Sequence, residues 1–127
     1  MPFQIKRIYE PAQAADGQRI LTDRLWPRGV TKERAALSRW LTDISPSTEL
    51  RKWFGHQPGR FAEFSQRYQQ ELQTDQDKQA AVQYLLRLSQ NDMVTLLYAA
   101  KSPTVNHAII LLEFLEKSAG QQTANRH

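Results

Sequence analysis

Met93-Val94-Thr95-Leu96-Leu97-Tyr98-Ala99-Ala100-Lys101-Ser102-Pro103-Thr104-Val105-Asn106-His107-Ala108 is the stretch whose reading decides the fold. It opens as a short apolar run, partly β-branched, between the polar Gln90-Asn91-Asp92 and the breaker Lys101-Ser102-Pro103. An uninterrupted apolar run of this length suits a strand covered on both faces, the usual state in a parallel sheet. Ser102-Pro103 then has the form of a helix start, with a serine oxygen to cap and a proline tolerated in the first turn. A helix is expected from there to about Ser118. Buried strand, polar turn and helix N-terminus together make the unit that most often holds ligands in α/β proteins.

Upstream, Phe3-Gln4-Ile5-Lys6-Arg7-Ile8 alternates apolar and polar residues and reads as a half-exposed strand. Asp16-Gly17 marks a turn, and Arg19 to Leu25 reads as a second strand. The short link from Tyr9 to Gly17 leaves the orientation of the first strand open. Trp26-Pro27-Arg28-Gly29 is a turn. Thr31 can cap a helix carrying Leu37, Trp40, Leu41 and Ile44 at helical spacing. Ser45-Pro46-Ser47 ends it and caps a short helix from Thr48 to Phe54, which Gly55 stops. A third helix is expected from about Arg60 to Gln73, with Phe61, Phe64, Tyr68 and Leu72 on one stripe. A fourth, capped by Asp75, runs from Gln76 to Gln90. The last helix is apolar around most of its circumference, with Asn106, Ile110, Glu113 and Lys117 on the remaining stripe; such a helix lies in a core or at an interface.

The fold class expected is therefore α/β: a small Rossmann-like three-layer domain with a short, mostly parallel sheet of three or four strands flanked by about five helices. One domain spans residues 3–118, and residues 119–127 form a disordered tail. If the second and third strands are parallel neighbours, their carboxyl ends share one edge of the sheet. Asp23-Arg24-Leu25-Trp26-Pro27-Arg28-Gly29 then lies beside Lys101-Ser102-Pro103-Thr104-Val105-Asn106-His107.

The 127 residues suffice for one modest core, and 40% of them are hydrophobic. No apolar run reaches the ~20 residues of a membrane span, and the start lacks the features of a signal peptide. The expectation is a cytoplasmic protein. With no cysteine there is no thiolate catalysis, disulfide or cysteine-ligated metal. Three scattered histidines give no metal spacing. Residues 1–60 carry eleven Lys/Arg against six Asp/Glu, and residues 61–127 carry six against seven. The basic surplus sits in the first half and favours anionic partners, although a mildly basic surface alone would also account for it. Walker, G-x-G-x-x-G and G-x-S-x-G patterns are absent.

Each candidate site residue has a functional and a structural reading. Arg28 and Lys101, joined by Arg24, supply positive charge, and the helix start with Ser102 and Asn106 adds an anion site. Trp26 offers a flat face for a ring, or packs the turn. His107 serves as a general base or as a satisfied histidine. Asp23 orients it, or pairs with Arg28 across the turn. Asn106 binds ligand, or serves the first turn of the helix.

Asp23-Arg24-Leu25-Trp26-Pro27-Arg28-Gly29, Leu96-Leu97-Tyr98-Ala99-Ala100-Lys101 and Asn106-His107-Ala108 resemble the YeaO-like branch of domain-of-unknown-function family 488. Lys6-Arg7-Ile8-Tyr9, Asp16-Gly17, Arg19-Ile20-Leu21 and Ser45-Pro46-Ser47-Thr48-Glu49-Leu50-Arg51 are similar as well, so the resemblance covers about residues 3–117. It implies a small α/β domain and no function. It also implies Cys-His-Arg, in much of the wider family, where this chain has Asn106-His107-Ala108; thiol chemistry does not carry over. Some members are labelled transcriptional regulators, but no helix-turn-helix signature supports that here.

Three functions follow as expectations. The first is an enzyme or degenerate enzyme acting on a small phosphate-bearing or nucleotide-like anion, with catalytic His107 and Asp23 and with Arg24, Trp26, Arg28, Lys101, Ser102 and Asn106 binding the ligand. The cofactor is left unknown. The second is a nucleic-acid-binding accessory protein that uses the basic first half and Trp26. The third is a structural or partner-binding domain, as a homodimer through an apolar helix face.

Overall fold

The apolar run is the central strand of a fully parallel sheet. The computed structural model describes residues 2–124, with side chains described through residue 120. Phe3–Arg7 (β1), Gln18–Leu21 (β2), Arg39–Trp40 (β3) and Val94–Tyr98 (β4) form one sheet in the order β1-β4-β2-β3. β4 is parallel to β1 on one side, with Phe3 opposite Val94, and to β2 on the other, with Gln18 opposite Val94. All five residues of β4 are buried, as its continuous apolar pattern requires. β1 runs parallel to β4, which lies between it and β2, so the short link after β1 crosses behind a strand added later in the chain.

Five α-helices complete the fold: Lys32–Ala35 (α1), Thr48–Phe54 (α2), Phe61–Thr74 (α3), Gln76–Ser89 (α4) and His107–Ala124 (α5). Short 3-10 turns lie at Ala14–Asp16, Thr42–Ile44 and Pro58–Arg60. Ile20, Val94 and Leu96 face the larger core with Phe54, Phe64, Tyr68, Leu72, Leu85, Leu111 and Leu115. Leu21 and Leu97 point the other way, to a smaller cluster with Ile8, Val30 and Ala35. Adjacent strand residues thus alternate between two apolar layers, which makes the domain three-layered. α3 and α4 keep their expected stripes, and the Asp75 carboxylate caps α4 by accepting from Lys78 N at 3.1 Å.

Five local expectations change. The helix expected from Thr31 through Ile44 is a single turn. Thr31 does cap it, but Ala36 is left-handed at φ 47°, and Arg39–Trp40 goes on as an edge strand on β2. The cause is Arg19, whose buried Nε and Nη2 donate to Ala35 O at 3.0 and 2.9 Å and so hold the end of the helix on the sheet. Ser38 N and Leu41 N then donate to Arg19 O and Leu21 O. β2 itself ends at Leu21, short of Leu25. α5 begins at His107, so Ser102-Pro103 precedes it in a turn. Asn106 is the cap, its Oδ1 accepting from Ile109 N at 3.0 Å. Finally, Ile110 is buried, while Ile109, Leu112 and Phe114 are half-buried. α5 continues beyond Ser118 to Ala124; the end of the expected tail, residues 125–127, lies outside the described residues.

Gly17 leads the chain into β2 at φ 63°, and a Cβ there would lie 2.3 Å from Met93 O, the carbonyl that receives Gln18 N–H. Gly17→Ala would add both a left-handed alanine and a clash against strand backbone. It should lower unfolding free energy by roughly 2 kcal/mol or more, read as a drop in the urea midpoint at unchanged m-value; an unchanged midpoint would show that the β2–β4 junction yields freely.

Candidate functional site

Because β2 and β4 are parallel, their carboxyl ends open on the same edge of the sheet. The chain leaves β2 toward the small cluster that holds Trp26 and Val30, and leaves β4 toward α5, which packs on β1 and the larger core. Departure to opposite sides leaves a crevice between the two strand ends, the place where open α/β sheets bind ligands. A pocket of about 640 Å³ occupies it, within the range of small-molecule sites. Among its lining residues are Asp23, Arg24, Trp26, Arg28, Lys101, Ser102, Asn106 and His107. All eight residues singled out from the sequence therefore line one cavity.

At its floor is a tightly bonded group. Thr22 Oγ1 donates to Leu97 O at 2.8 Å. With its proton so engaged, the same oxygen accepts from His107 Nε2 at 2.9 Å, and Thr22 O lies 3.2 Å from that nitrogen. Nε2 therefore carries the hydrogen, and in the neutral ring Nδ1 holds the lone pair. Asp23 Oδ1 lies 3.4 Å from the same Nε2, and Oδ2 accepts from Ala99 N at 3.0 Å. Burial pushes His107 below the usual histidine range and outweighs Asp23 and the Thr22 carbonyl, which act the other way. Burial likewise raises the Asp23 carboxyl, against the lowering effects of His107, the Ala99 N–H, His56 and Arg51. A neutral imidazole donating toward a carboxylate is the state these environments favour.

The other expected residues divide into bonded and free. Trp26 Nε1 donates to Val30 O at 2.7 Å and its ring packs edge-on against Trp40, so it both stiffens its turn and forms pocket wall. Ser102 Oγ accepts from Val105 N at 2.9 Å, and Ser102 O accepts from Asn106 Nδ2 at 2.9 Å. Arg28 and Lys101 are exposed and form no ion pair among the described residues. The alternative pairing of Asp23 with Arg28 is absent; the Asp23 carboxylate faces Ala99 N and His107 instead.

Sequence reasoning missed Arg51 and His56. α2 and the turn after it bring both to the pocket, near enough to act electrostatically on Asp23. Gly55 and His56 are successive left-handed residues at φ 54° and 58°, which turn the chain sharply at the end of α2. A histidine directly after a helix-stopping glycine was the available signal, although such conformations are uncommon for non-glycine residues. Phe54, Phe64, Pro46 and Pro58 add apolar wall. No cluster of three or more His, Asp or Glu suited to a metal occurs among the described residues.

Compared with known proteins, the whole described chain has relatives. The family profile described as the inactive DUF488-N3 subclade matches residues 2–127. The uncharacterized protein YeaO of Escherichia coli K12 is 45% identical over 116 residues, 91% of this chain and 97% of that protein. The uncharacterized proteins Mb3100c of Mycobacterium bovis and Rv3073c of Mycobacterium tuberculosis H37Rv are each 40% identical over 112 residues, 88% of this chain and 92% of theirs. No solved structure matches.

The state of His107 gives a pH prediction. Its folded value lies below the unfolded value near 6.5, so its contribution is fully present above pH 6.5. It is lost as pH falls, because only the unfolded chain takes up the proton. Asp23 has the opposite sign, gaining stability toward more acid pH as the folded state takes its proton first. Between pH 7.5 and 5.5 the wild type should lose stability faster than His107→Gln, by at most about 1.4 kcal/mol per pH unit. Urea midpoints across that range measure this, and parallel slopes would contradict it.

Proposed function

The chain belongs to the inactive DUF488-N3 subclade, and from that premise we propose that it is a degenerate enzyme-like domain that binds a small nucleotide-like anion without transforming it. The observation that carries this reading is the charge of the pocket. Arg24, Arg28, Arg51 and Lys101 line it together with a single carboxylate, Asp23, which is already bonded. An aromatic and proline-rich wall, Trp26, Pro27, Pro46, Phe54 and Phe64, would take a flat ring, while the cations would take a phosphate. The amino end of α5 adds the favourable pole of its dipole.

In this reading Arg28, Arg51 and Lys101 hold the anion and Trp26 bounds the ring. Ser102 and Asn106 shape the loop that presents Lys101. Asp23 and His107 hold the strand end to the helix start. His107 Nε2 already donates to Thr22, so this nitrogen is unsuited to removing a proton from a ligand, and the lone pair at Nδ1 is the ring's one remaining base. The reading of binding without chemistry rests on the subclade's description as inactive. The cytoplasmic setting expected from the sequence suits such a ligand; no described helix is long and apolar enough to cross a membrane.

Thermal unfolding with nucleoside 5′-monophosphates, sugar phosphates and neutral nucleosides tests the proposal. A monophosphate at a hundred times its Kd should stabilise the wild type by about 2.7 kcal/mol, several degrees in Tm. The matching nucleoside should do less, and Arg51→Ala should lose most of the shift. If no anion stabilises the protein, or if Arg51→Ala responds like wild type, the reading is wrong. A parallel titration with single-stranded oligonucleotide tests the accessory-protein alternative: affinity falling steeply with salt would favour it.

A further inference from the structure

Two partly or fully buried arginines in this domain are treated very differently. Arg19 is fully bonded: its Nε and Nη2 donate to Ala35 O, and its Nη1 lies 2.5 Å from Asp16 Oδ2. Arg24 is not. Its Nη2 makes one long contact of 3.4 Å with Pro46 O, and its Nε is buried without any acceptor. No carboxylate among the described residues pairs with it, and the adjacent Asp23 is engaged by Ala99 N and His107. A buried donor without a partner opposes folding, and a charged one more so. The same chain can satisfy a guanidinium completely, as Arg19 proves, so the poor bonding of Arg24 calls for a reason other than stability.

Its surroundings suggest one. Arg24 and Pro46 both line the pocket, as does Arg51, which has no ion pair among the described residues. Pro46 lies in Ser45-Pro46-Ser47, directly before α2, the helix that carries Arg51. A guanidinium presents parallel N–H groups that match two oxygens of a phosphate or carboxylate, and such bonds are shorter and stronger than one to a neutral carbonyl. Because Arg24 itself lines the cavity and is held only by that one long contact, turning its side chain is the movement that would offer Nε and Nη2 to a ligand.

We propose that Arg24 is the specificity residue of this pocket, exchanging its weak contact with Pro46 O for a two-pronged bond to the terminal oxyanion of the ligand, in the cavity that Arg51 also lines. The inference rests on the anion-pocket reading above and makes it more specific. The ligand class becomes a ring bearing an accessible phosphate or carboxylate, with the head group toward Arg24 and Arg51 and the ring against the wall of Trp26, Phe54, Phe64 and Pro46.

The test separates a ligand-binding role from a structural one. Arg24→Met keeps the unbranched stem and removes the donors; Arg24→Lys keeps the charge and removes the fork. Urea unfolding without added ligand should find Arg24→Met at least as stable as wild type, because an unsatisfied donor has been removed. Calorimetric titration should find phenyl phosphate or AMP bound about tenfold or more weakly by Arg24→Met, with benzyl alcohol unaffected and Arg24→Lys intermediate. Running benzoate beside phenyl phosphate tells which oxyanion shows the Arg24 dependence. If Arg24→Met is less stable or fails to fold, the residue is structural and the inference is overturned. If wild type and Arg24→Met bind these anions alike, the assignment of Arg24 falls while the anion pocket stands. If wild type binds none of them, the pocket reading falls, and this inference with it.

Discussion

One hydroxyl ties together the three segments that make the crevice. Thr22 Oγ1 gives its proton to Leu97 O on the central strand and receives the imidazole proton of His107. The end of β2, the end of β4 and the first residue of α5 are thereby fixed to one another within a few ångströms. Thr22 is fully buried, so both bonds form where water does not compete and where losing either would leave a polar group unpaired. The pocket wall is consequently a continuation of the sheet. Its position is set by strand pairing and by Asn106, which starts α5 at the residue that places His107 over Thr22.

The other side of the sheet uses polar groups for packing. Asp16 accepts from Lys6 Nζ and Arg19 Nη1 and from Gln13 N, while its own carbonyl accepts from Thr95 Oγ1. Burial pushes the Asp16 carboxyl up, but Gln13 N–H, Lys6 and Arg19 outweigh it and hold the group below its usual range. This has a bearing on the basic surplus of the first sixty residues. Lys6 and Arg19 neutralise Asp16; Arg7 donates to Ala100 O, and Arg34 to Tyr9 O. Part of the excess is thus committed to internal structure, while Arg28 and Arg51, which form no ion pair among the described residues, line one cavity together with Lys101 from the second half. Net charge alone says nothing of where the cations stand; the fold gathers four of them, Arg24, Arg28, Arg51 and Lys101, around one cavity.

Where one signal dominated, the sequence was readable. The apolar run of β4, the alternation of β1, the Asp75 cap and the stripe of α3 each meet little local competition. Parallel pairing of β2 with β4 then brought Asp23 to Arg28 beside Lys101 to His107, because in a parallel sheet the two exits share an edge. Reading failed where tertiary contacts overrode spacing. Leu37, Trp40, Leu41 and Ile44 fit a helix, yet the bonds from Arg19 to Ala35 O end that helix after one turn and free Arg39–Trp40 to pair with β2. Ser102 and Asn106 are both competent caps, and nothing local ranks them; the contact of His107 with Thr22 selects Asn106. Arg51 and His56 lie between the two recognised segments, and only packing of α2 reveals that they face the same space.

Those same bonds bear on why a pocket could persist in a subclade described as inactive. The hydroxyls along the cavity have internal partners: Ser102 Oγ takes Val105 N–H, and Ser45 Oγ donates to Thr42 O. Asp23 and His107 are bound to backbone and to each other. With no cysteine in the chain, no thiol stands ready either. The carboxylate, the imidazole Nε2 and these two hydroxyls are thus engaged within the protein, whereas Arg28, Arg51 and Lys101 form no ion pair among the described residues. Loss of chemistry in such a domain requires just that reactive groups be committed or replaced. Loss of binding would require closing the crevice itself, and the parallel strand exits that create it are also what the core is built on.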